Sequence, residues 1–368
     1  MMLRLERLHE VALRHGLTVS GAAASQVLQP AASRFRAIIE QRPPDGLPSY
    51  LAKDLERRLD PKLQRKGTQS VIVFGMPYRT KSPPPFPEDG LARGRVAAYS
   101  VGLDYHREMR RRIELVVAEL MTSGDLSARR VTPQAGKDPR GEAPHFVVID
   151  TAPVLEKPWA EQVGLGWQGK HTNLVSRKHG SWLLLGAILT PDHVEESEPH
   201  TDHCGSCTAC LTACPTEALT PNLPYQLDIS KCISFLTIEL RKPIPTALRT
   251  AIGTWLFGCD LCLDCCPFNR FAEDEGVSEQ LELFYPRLIP ILEAGVGALD
   301  RQHSQSAWCH ASARQWHRNA AVVAGNRLAA GDLESGERQR LIAVLEQHAR
   351  PSGHPLVRPH AQWALDHR

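Results

Sequence analysis

Cys204, Cys207, Cys210 and Cys214, the last followed by Pro215, form the run Cys-x2-Cys-x2-Cys-x3-Cys-Pro. A second run, Cys259-x2-Cys262-x3-Cys266-Pro267, comes later, with Cys232 alone between the two. Such spacing holds iron–sulfur cubes. A two-residue gap bends successive thiolates around one 4Fe–4S cube, and the fourth cysteine, before proline, crosses to the other cluster. The assignment is Cys204, Cys207, Cys210 and Cys266 for cluster one, and Cys214, Cys232, Cys259 and Cys262 for cluster two. Cys265 can replace Cys266, which is preferred because it precedes proline at the same three-residue gap as Cys214. Disulfides suit small secreted domains, and zinc more naturally takes two separated Cys-x2-Cys pairs. On this reading the chain carries electrons.

The other chemical stretch is 150–170, DTAPVLEKPWAEQVGLGWQGK. Asp150 ends an expected strand, where a side chain meets a crevice. A carboxyl there can serve as a general acid if burial raises its pKa; a cap or turn aspartate fits the local pattern equally well. Gly164, Gly166 and Gly169 would let backbone approach a bulky ligand. They follow a presumed helix, Pro158 to Val163, and not a strand, which argues against a dinucleotide fingerprint. Lys170, His171 and Asn173 add polar groups that also suit a surface loop.

These residues need a frame. The chain has 368 residues, enough for two or three domains, with ordinary hydrophobic content and a net charge of +2. That charge alone points to no class of partner. Met1 to Gly16, with Arg4, Glu6, Arg7, His9, Glu10 and Arg14, reads as an amphipathic helix and not a signal peptide. The apolar stretch Trp182 to Leu189 is too short to span a bilayer. Together with iron–sulfur ligands, this places the chain in the cytoplasm. Gln69 to Gly75, Phe146 to Asp150 and Ser181 to Leu189 read as strands. The proline-rich 81–87 reads as a loop. Asp104 to Ser123 reads as a helix burying Met109, Ile113, Val116, Val117 and Leu120, with Arg107, Arg110, Arg111 and Arg112 opposite. These elements predict an α/β or α+β layer domain over 1–195, ended by an acidic link at Glu195, Glu196, Glu198 and Pro199. After the cysteine module, apolar helices begin at Arg318 and again at Arg358, 40 residues later, an offset that fits a HEAT-type repeat or two unrelated helices.

Taken together, the pieces resemble the epoxyqueuosine reductase family, the cobalamin-dependent iron–sulfur enzymes of tRNA queuosine synthesis. The resemblance runs through Asp104-Tyr-His106, Asp150-Thr-Ala-Pro153 with Leu155-Glu156, and GLGWQGKHTNL from Gly164 to Leu174. It continues through Gly180-Ser-Trp182, both cysteine runs, Cys232-Ile-Ser-Phe-Leu-Thr-Ile-Glu239, Gly258-Cys-Asp260, RNAAVVAGN from Arg318 to Asn326 and LVRPHAQWAL from Leu356 to Leu365. The doubled Cys265-Cys266 departs from the family pattern.

The resemblance implies an α+β protein in three parts. They are a cobalamin-binding catalytic domain (1–195) similar to reductive dehalogenases and nitroreductase-like folds, a ferredoxin-like two-cluster domain (196–285), and a HEAT-like helical domain (286–368). It implies reduction of the epoxide of epoxyqueuosine, at the wobble base of tRNA, to the alkene of queuosine. Two 4Fe–4S clusters and cobalamin are the implied cofactors, with Asp150 as proton donor. Arg58, Ser100, Asp150, His171, Asn173, Leu174 and Ser234 are the implied cobalamin neighbours. No D-x-H-x-x-G motif occurs, so no protein histidine is expected on cobalt. The implied partners are the tRNA anticodon stem-loop and an electron donor such as flavodoxin or ferredoxin, and a monomer suffices. The basic candidates for tRNA are Arg110 to Arg112, Arg241, Lys242, Arg314, Arg318 and Arg358, each of which also suits a solvated helix face. Two other classes stay open: a reductive dehalogenase-like enzyme acting on a small molecule, and a ferredoxin-type electron-transfer protein.

Overall fold

The computed structural model describes residues 2–41, 49–78, 85–128, 144–150, 152–272 and 281–368. Thr151 and residues 81–84 of the expected proline-rich loop lie outside them. The strands among the described residues are β1 (Val19–Ala24), β2 (Ser70–Pro77), β3 (Arg95–Val96), β4 (Phe146–Val148), β5 (Trp167–Gln168), β6 (Leu174–Val175), β7 (Leu183–Thr190) and β8 (Trp255–Phe257). The chain forms two compact units. The first comprises 1–78, 106–207 and 266–273, and the second 79–105, 208–265 and 274–368.

The first unit is built on a four-stranded sheet of order β1-β2-β7-β4, antiparallel at every pairing. Among the described residues it is therefore α+β in the strict sense, without parallel βαβ winding. The apolar run SVIVFG in β2 looks like a strand of a parallel sheet because it is buried along its whole length. It is buried because it is a central strand with helices over both faces. Alternation explains the two layers. Gly186 in β7 faces the helix Tyr105–Thr122, where an added Cβ would stand 2.7 Å from Ile113. Met109, Ile113, Val116 and Leu120 of that helix are buried there, at the spacing expected of one helical face. The odd positions Val71, Val73, Ala187 and Leu189 turn to the other face and pack with Val154, Trp159, Ala160 and Val163 around the helix Glu156–Gln162. Each such fully buried aliphatic side chain contributes about 1.5–3 kcal/mol relative to exposure. The first helix, Leu5–Arg14, buries Leu8, Val11 and Ala12.

In the second unit, β3 pairs parallel with β8. The helices Ala313–Ala330, Ser335–Ala349 and Arg358–Asp366 share a core containing Trp316, Ala320, Val323, Leu341, Val344, Ala361 and Ala364. The first of these starts at Ala313, five residues before the expected Arg318. Ser312 supplies the reason: its hydroxyl accepts from the Gln315 N–H while the Gln315 side chain accepts from the Ser312 N–H, a capping box that sets the start. Gly331, at φ +74°, ends the helix in the left-handed conformation. Among the described residues no helix is long and apolar enough to cross a membrane.

Candidate functional site

In the first unit, β4 delivers the catalytic candidate. The strand ends at Val148, Ile149 is buried, and Asp150 turns out with φ +47°. Aspartate tolerates that left-handed position better than most residues, at some conformational cost. Its side chain is 69% exposed, and Oδ2 lies 3.4 Å from Nε2 of His106, in the first turn of the helix Tyr105–Thr122. The sequence tied an acid role for Asp150 to burial, and the structure places the buried carboxyl six residues further on. Glu156, opening the helix Glu156–Gln162, has an Oε1 that is buried and, among the described residues, without a partner. Desolvation, and then the charge of Asp150, push the Glu156 carboxyl up to about 7, against the opposing pull of backbone N–H groups and Arg58. Arg58, Asp150 and Glu156 therefore form one electrostatic neighbourhood. Arg58 donates to the Tyr50 carbonyl at 3.2 Å, and its buried Nε has no partner among the described residues. Glu156 was quoted in the sequence pattern without a role, because only burial reveals one.

His171 is buried, and desolvation lowers its pKa to about 4, so the ring is neutral at physiological pH. Nδ1 accepts from the Asn173 N–H at 3.1 Å, and Nε2 lies 3.3 Å from the Ser181 hydroxyl. The Asn173 Oδ1 accepts from Lys157 Nζ at 2.7 Å, and Leu174 is buried in β6. The glycines do a different job from the one expected of them. An added Cβ at Gly164 would stand 2.4 Å from the Glu198 carbonyl, and one at Gly166 would stand 2.1 Å from the Val175 carbonyl. At Gly169 it would stand 2.8 Å from a Val175 methyl. They allow the chain to pack on itself, so their Cβ directions hold protein and leave no space for a ligand. Next to them, Trp167 Nε1 donates to Cys204 Sγ at 3.4 Å. Lys170 Nζ donates to the carbonyls of Gly205 and Cys207 at 2.6 and 2.8 Å, a role the sequence did not announce.

In the second unit, four thiols face one another. Burial raises the pKa of Cys259, and Cys232 and Cys214 stand close enough to raise it further. Cys262 is pushed well up by burial, then by Cys259, Cys232 and Cys214. Four neighbouring sulfurs, two of them desolvated, repel one another as thiolates and form a donor set suited to a strongly cationic core, such as the irons of a cluster. Gly258, at φ +70°, aims this loop. An added Cβ there would meet Ala97 at 2.6 Å, and its N–H donates to the Thr237 hydroxyl at 3.0 Å. Asp260 accepts from the Ala98 N–H at 2.6 Å, and burial pushes its carboxyl up to about 7. Cys265 donates to the Cys262 carbonyl at 3.6 Å and packs with Cys210, Leu211 and Leu219. Ser100 is fully buried; its hydroxyl donates to the Ala97 carbonyl at 2.7 Å and accepts from Trp308 Nε1 at 3.2 Å. Ser234 caps the π-helical turn Phe235–Glu239, its carbonyl accepting from the Thr237 hydroxyl at 3.3 Å.

One basic candidate needs correction. Arg318 is fully buried, and its guanidinium donates to the carbonyls of Leu236, Leu240 and Lys242 at 2.6, 2.5 and 2.9 Å. It holds the segment after Cys232 and presents nothing to a nucleic acid. Asn319 does the same for the carbonyls of Thr237 and Leu256 at 2.7 and 3.0 Å. Arg111 and Arg112 both pair with Glu108, whose carboxyl they draw down to about 2. Arg241 donates to Gln315 at 2.5 Å, whereas Arg358 is exposed.

Comparison with known proteins adds the family frame. Residues 203–269 match the family described as 4Fe-4S double cluster binding domain, and residues 58–132 the family described as epoxyqueuosine reductase QueG, DUF1730. The epoxyqueuosine reductase of Xanthomonas campestris pv. campestris is 36% identical over 326 residues, covering 87% of this chain and 84% of that one. The crystal structure of an epoxyqueuosine reductase with a tRNA-Tyr epoxyqueuosine-modified stem-loop superposes with TM-score 0.81 at 26% identity, covering 98% of this chain and 89% of that one. The Bacillus subtilis epoxyqueuosine reductase, in a structure with its catalytic aspartate loop swung out of the active site, gives TM-score 0.80 at 26% identity, with coverage of 98% and 89%.

Proposed function

Because the chain belongs to the epoxyqueuosine reductase family, we propose that it reduces epoxyqueuosine at the wobble position of tRNA to queuosine, with Asp150 as the proton donor. The observation that carries this reading is a carboxylate at a strand end, beside His106 and Glu156, in a chain that also holds a double-cluster binding domain.

The overall change consumes two electrons and two protons, converts the epoxide to an alkene and releases its oxygen as water. For cluster two, the neighbouring sulfurs of Cys214, Cys232, Cys259 and Cys262 are the ligands. For cluster one, Cys204, Cys207, Cys210 and Cys266 follow from the spacing. The engaged sulfur of Cys265 supports Cys266 as the ligand. Arg58, Ser100, Asp150, His171, Asn173, Leu174 and Ser234 are the residues proposed to hold cobalamin. The buried Nε of Arg58, unpartnered among the described residues, is the kind of donor that a corrin's peripheral amide carbonyls satisfy. When bound, the two clusters supply a low-potential electron relay, and cobalamin supplies the reducing centre for the epoxide.

The chain's own contribution is positioning and protonation. Opening the epoxide leaves an oxyanion, which is costly in a site closed to water unless a proton arrives with it. Asp150 supplies that proton. His106 Nε2, 3.4 Å away, orients the carboxyl, and Glu156, held up to about 7, is a nearby carboxyl that remains partly protonated at neutral pH. Neutral His171 keeps a second positive charge away from the site.

Further proposals complete this reading. The functional segments are 1–195 for catalysis and cobalamin, 196–285 for the ferredoxin-like clusters, and 286–368 for a HEAT-like helical repeat. Exposed arginines such as Arg358 serve the tRNA backbone, an electrostatic contact that weakens with salt. The electron donor is of the flavodoxin or ferredoxin type, and the protein works as a cytoplasmic monomer. The test is Asp150→Asn, assayed with tRNA bearing epoxyqueuosine and an excess of reductant. Turnover is expected to fall by about 10²–10⁴-fold with iron and cobalamin content unchanged. Turnover at the parent rate removes Asp150 from the scheme.

A further inference from the structure

Cys309 is assigned to neither cluster, and its neighbour His310 has no part in the proposed reaction. In the second unit they meet Asp104: one sulfur, one imidazole nitrogen and one carboxylate oxygen all lie within 4.8 Å of one another. We propose that Asp104, Cys309 and His310 form a binding site for a divalent ion of borderline softness, of which Zn²⁺ is the type. Zinc is the common biological ion that takes thiolate, imidazole and carboxylate together.

Three features make this a prepared arrangement. Asp104 and the turn Ala307–His310 are far apart in sequence, yet two hydrogen bonds join their segments. The Asp104 N–H donates to the Gln305 carbonyl at 3.1 Å, and Trp308 Nε1 donates to the Ser100 hydroxyl at 3.2 Å. The turn is anchored from behind, where the Trp308 ring packs on Trp316 at 5.2 Å and edge-on to His303 at 5.3 Å. Burial is graded as a metal site requires. Asp104 is 8% exposed, so a cation beside its carboxylate is weakly screened, whereas Cys309 is exposed and gives an ion a way in. Zinc–ligand bonds of ~2.0–2.3 Å place tetrahedral ligand atoms ~3–4 Å apart, a closure that side-chain torsions can supply. Three protein ligands leave a fourth position, which water fills.

Binding is acid–base balanced: the Cys309 thiol loses its proton to solvent as the zinc–sulfur bond forms, and nothing is oxidised or reduced. The experiment uses the anaerobic holoprotein with both clusters filled, so that the cluster cysteines are occupied. It is loaded with Zn²⁺, desalted and read at the zinc K-edge, which iron does not obscure. We expect stoichiometric zinc with one sulfur at ~2.3 Å and nitrogen or oxygen at ~2.0–2.1 Å. In competition with a chromophoric chelator, Cys309→Ser and His310→Ala each weaken retention by about tenfold or more, and Cys265→Ser does not. Iron content checks the fold of each variant, and the parent spectrum decides even if a variant does not fold. The proposal is overturned if no zinc stays with the parent protein, if both variants retain it equally well, or if the shell is four sulfurs, which would put the zinc in a cluster site.

Discussion

The four-thiol site of the second unit and the carboxylate neighbourhood of the first both remove from water groups that ionise, and they settle the cost in opposite ways. Around Cys214 and Cys232, burial pushes the thiols of Cys259 and Cys262 upward, and the neighbouring sulfurs push them further. Those sulfurs are stable as thiolates only when a metal core balances them. Around Asp150 and Glu156 no metal is called for. One carboxyl is exposed at a strained strand end, and the other is buried and stays partly protonated near neutrality. The first arrangement holds electrons through a cofactor, and the second holds a proton on the chain itself. An enzyme that must deliver both to one epoxide has reason to keep the two chemistries on different residues.

The sharpest way to break this contrast is to remove one thiolate. Cys262→Ser is expected to drop iron from about eight atoms per chain to about four and to abolish turnover. Full iron occupancy measured by elemental analysis would show that Cys262 ligates nothing. On the protein side, Arg318→Ala removes the donors to three carbonyls, of which that of Leu236 is buried. The expected loss is about 3 kcal/mol or more of unfolding free energy in urea, with tRNA affinity of the folded fraction unchanged. A variant of parent stability and weakened tRNA binding would restore Arg318 as a nucleic-acid contact.

The carboxylate arm is tested by pH. The Glu156 carboxyl is raised from its ordinary value to about 7, so the folded protein binds more protons than the unfolded chain between those two values. Stability therefore falls as pH rises through that window and levels off above it. Glu156→Gln is expected to match the parent near pH 5 and to exceed it by about 1–2 kcal/mol near pH 8, read from urea midpoints under anaerobic conditions. An equal gap at both pH values would mean that Glu156 is charged throughout. The smallest effect is expected from Cys265→Ser, which should leave iron content as in the parent, because the Cys265 sulfur already serves the Cys262 carbonyl.

How legible these two regions were differs for a physical reason. The double-cluster domain that the family match places at 203–269 could be read because ligation is local: a cube demands short, fixed gaps, and Cys204 to Cys214 display them in eleven consecutive residues. Strands β2, β4 and β7 and the helix Tyr105–Thr122 were equally visible, since their burial follows simple periodicities. The antiparallel order of the sheet was not, because pairing joins residues that pattern alone does not connect. Arg318 looked like a surface arginine for the same reason. Its partners at Leu236, Leu240 and Lys242 lie about eighty residues upstream. Glycines 164, 166 and 169 suggested room for a ligand, and the room is filled by Glu198 and Val175. Glu156 shows the limit most clearly. A glutamate at the start of a helix is ordinary in sequence, and only its desolvation and its nearness to Asp150 make it chemically distinctive.

The most direct test of the account is a single anaerobic assay. The purified protein, reconstituted with iron, sulfide and cobalamin, is mixed with tRNA bearing epoxyqueuosine and a strong reductant, and the digested nucleosides are read by mass spectrometry. The account predicts loss of one oxygen atom from the wobble nucleoside, giving queuosine, and conversion slower by about 10²–10⁴-fold in Asp150→Asn at equal iron and cobalamin content. Unchanged epoxyqueuosine with the fully loaded parent protein would contradict it.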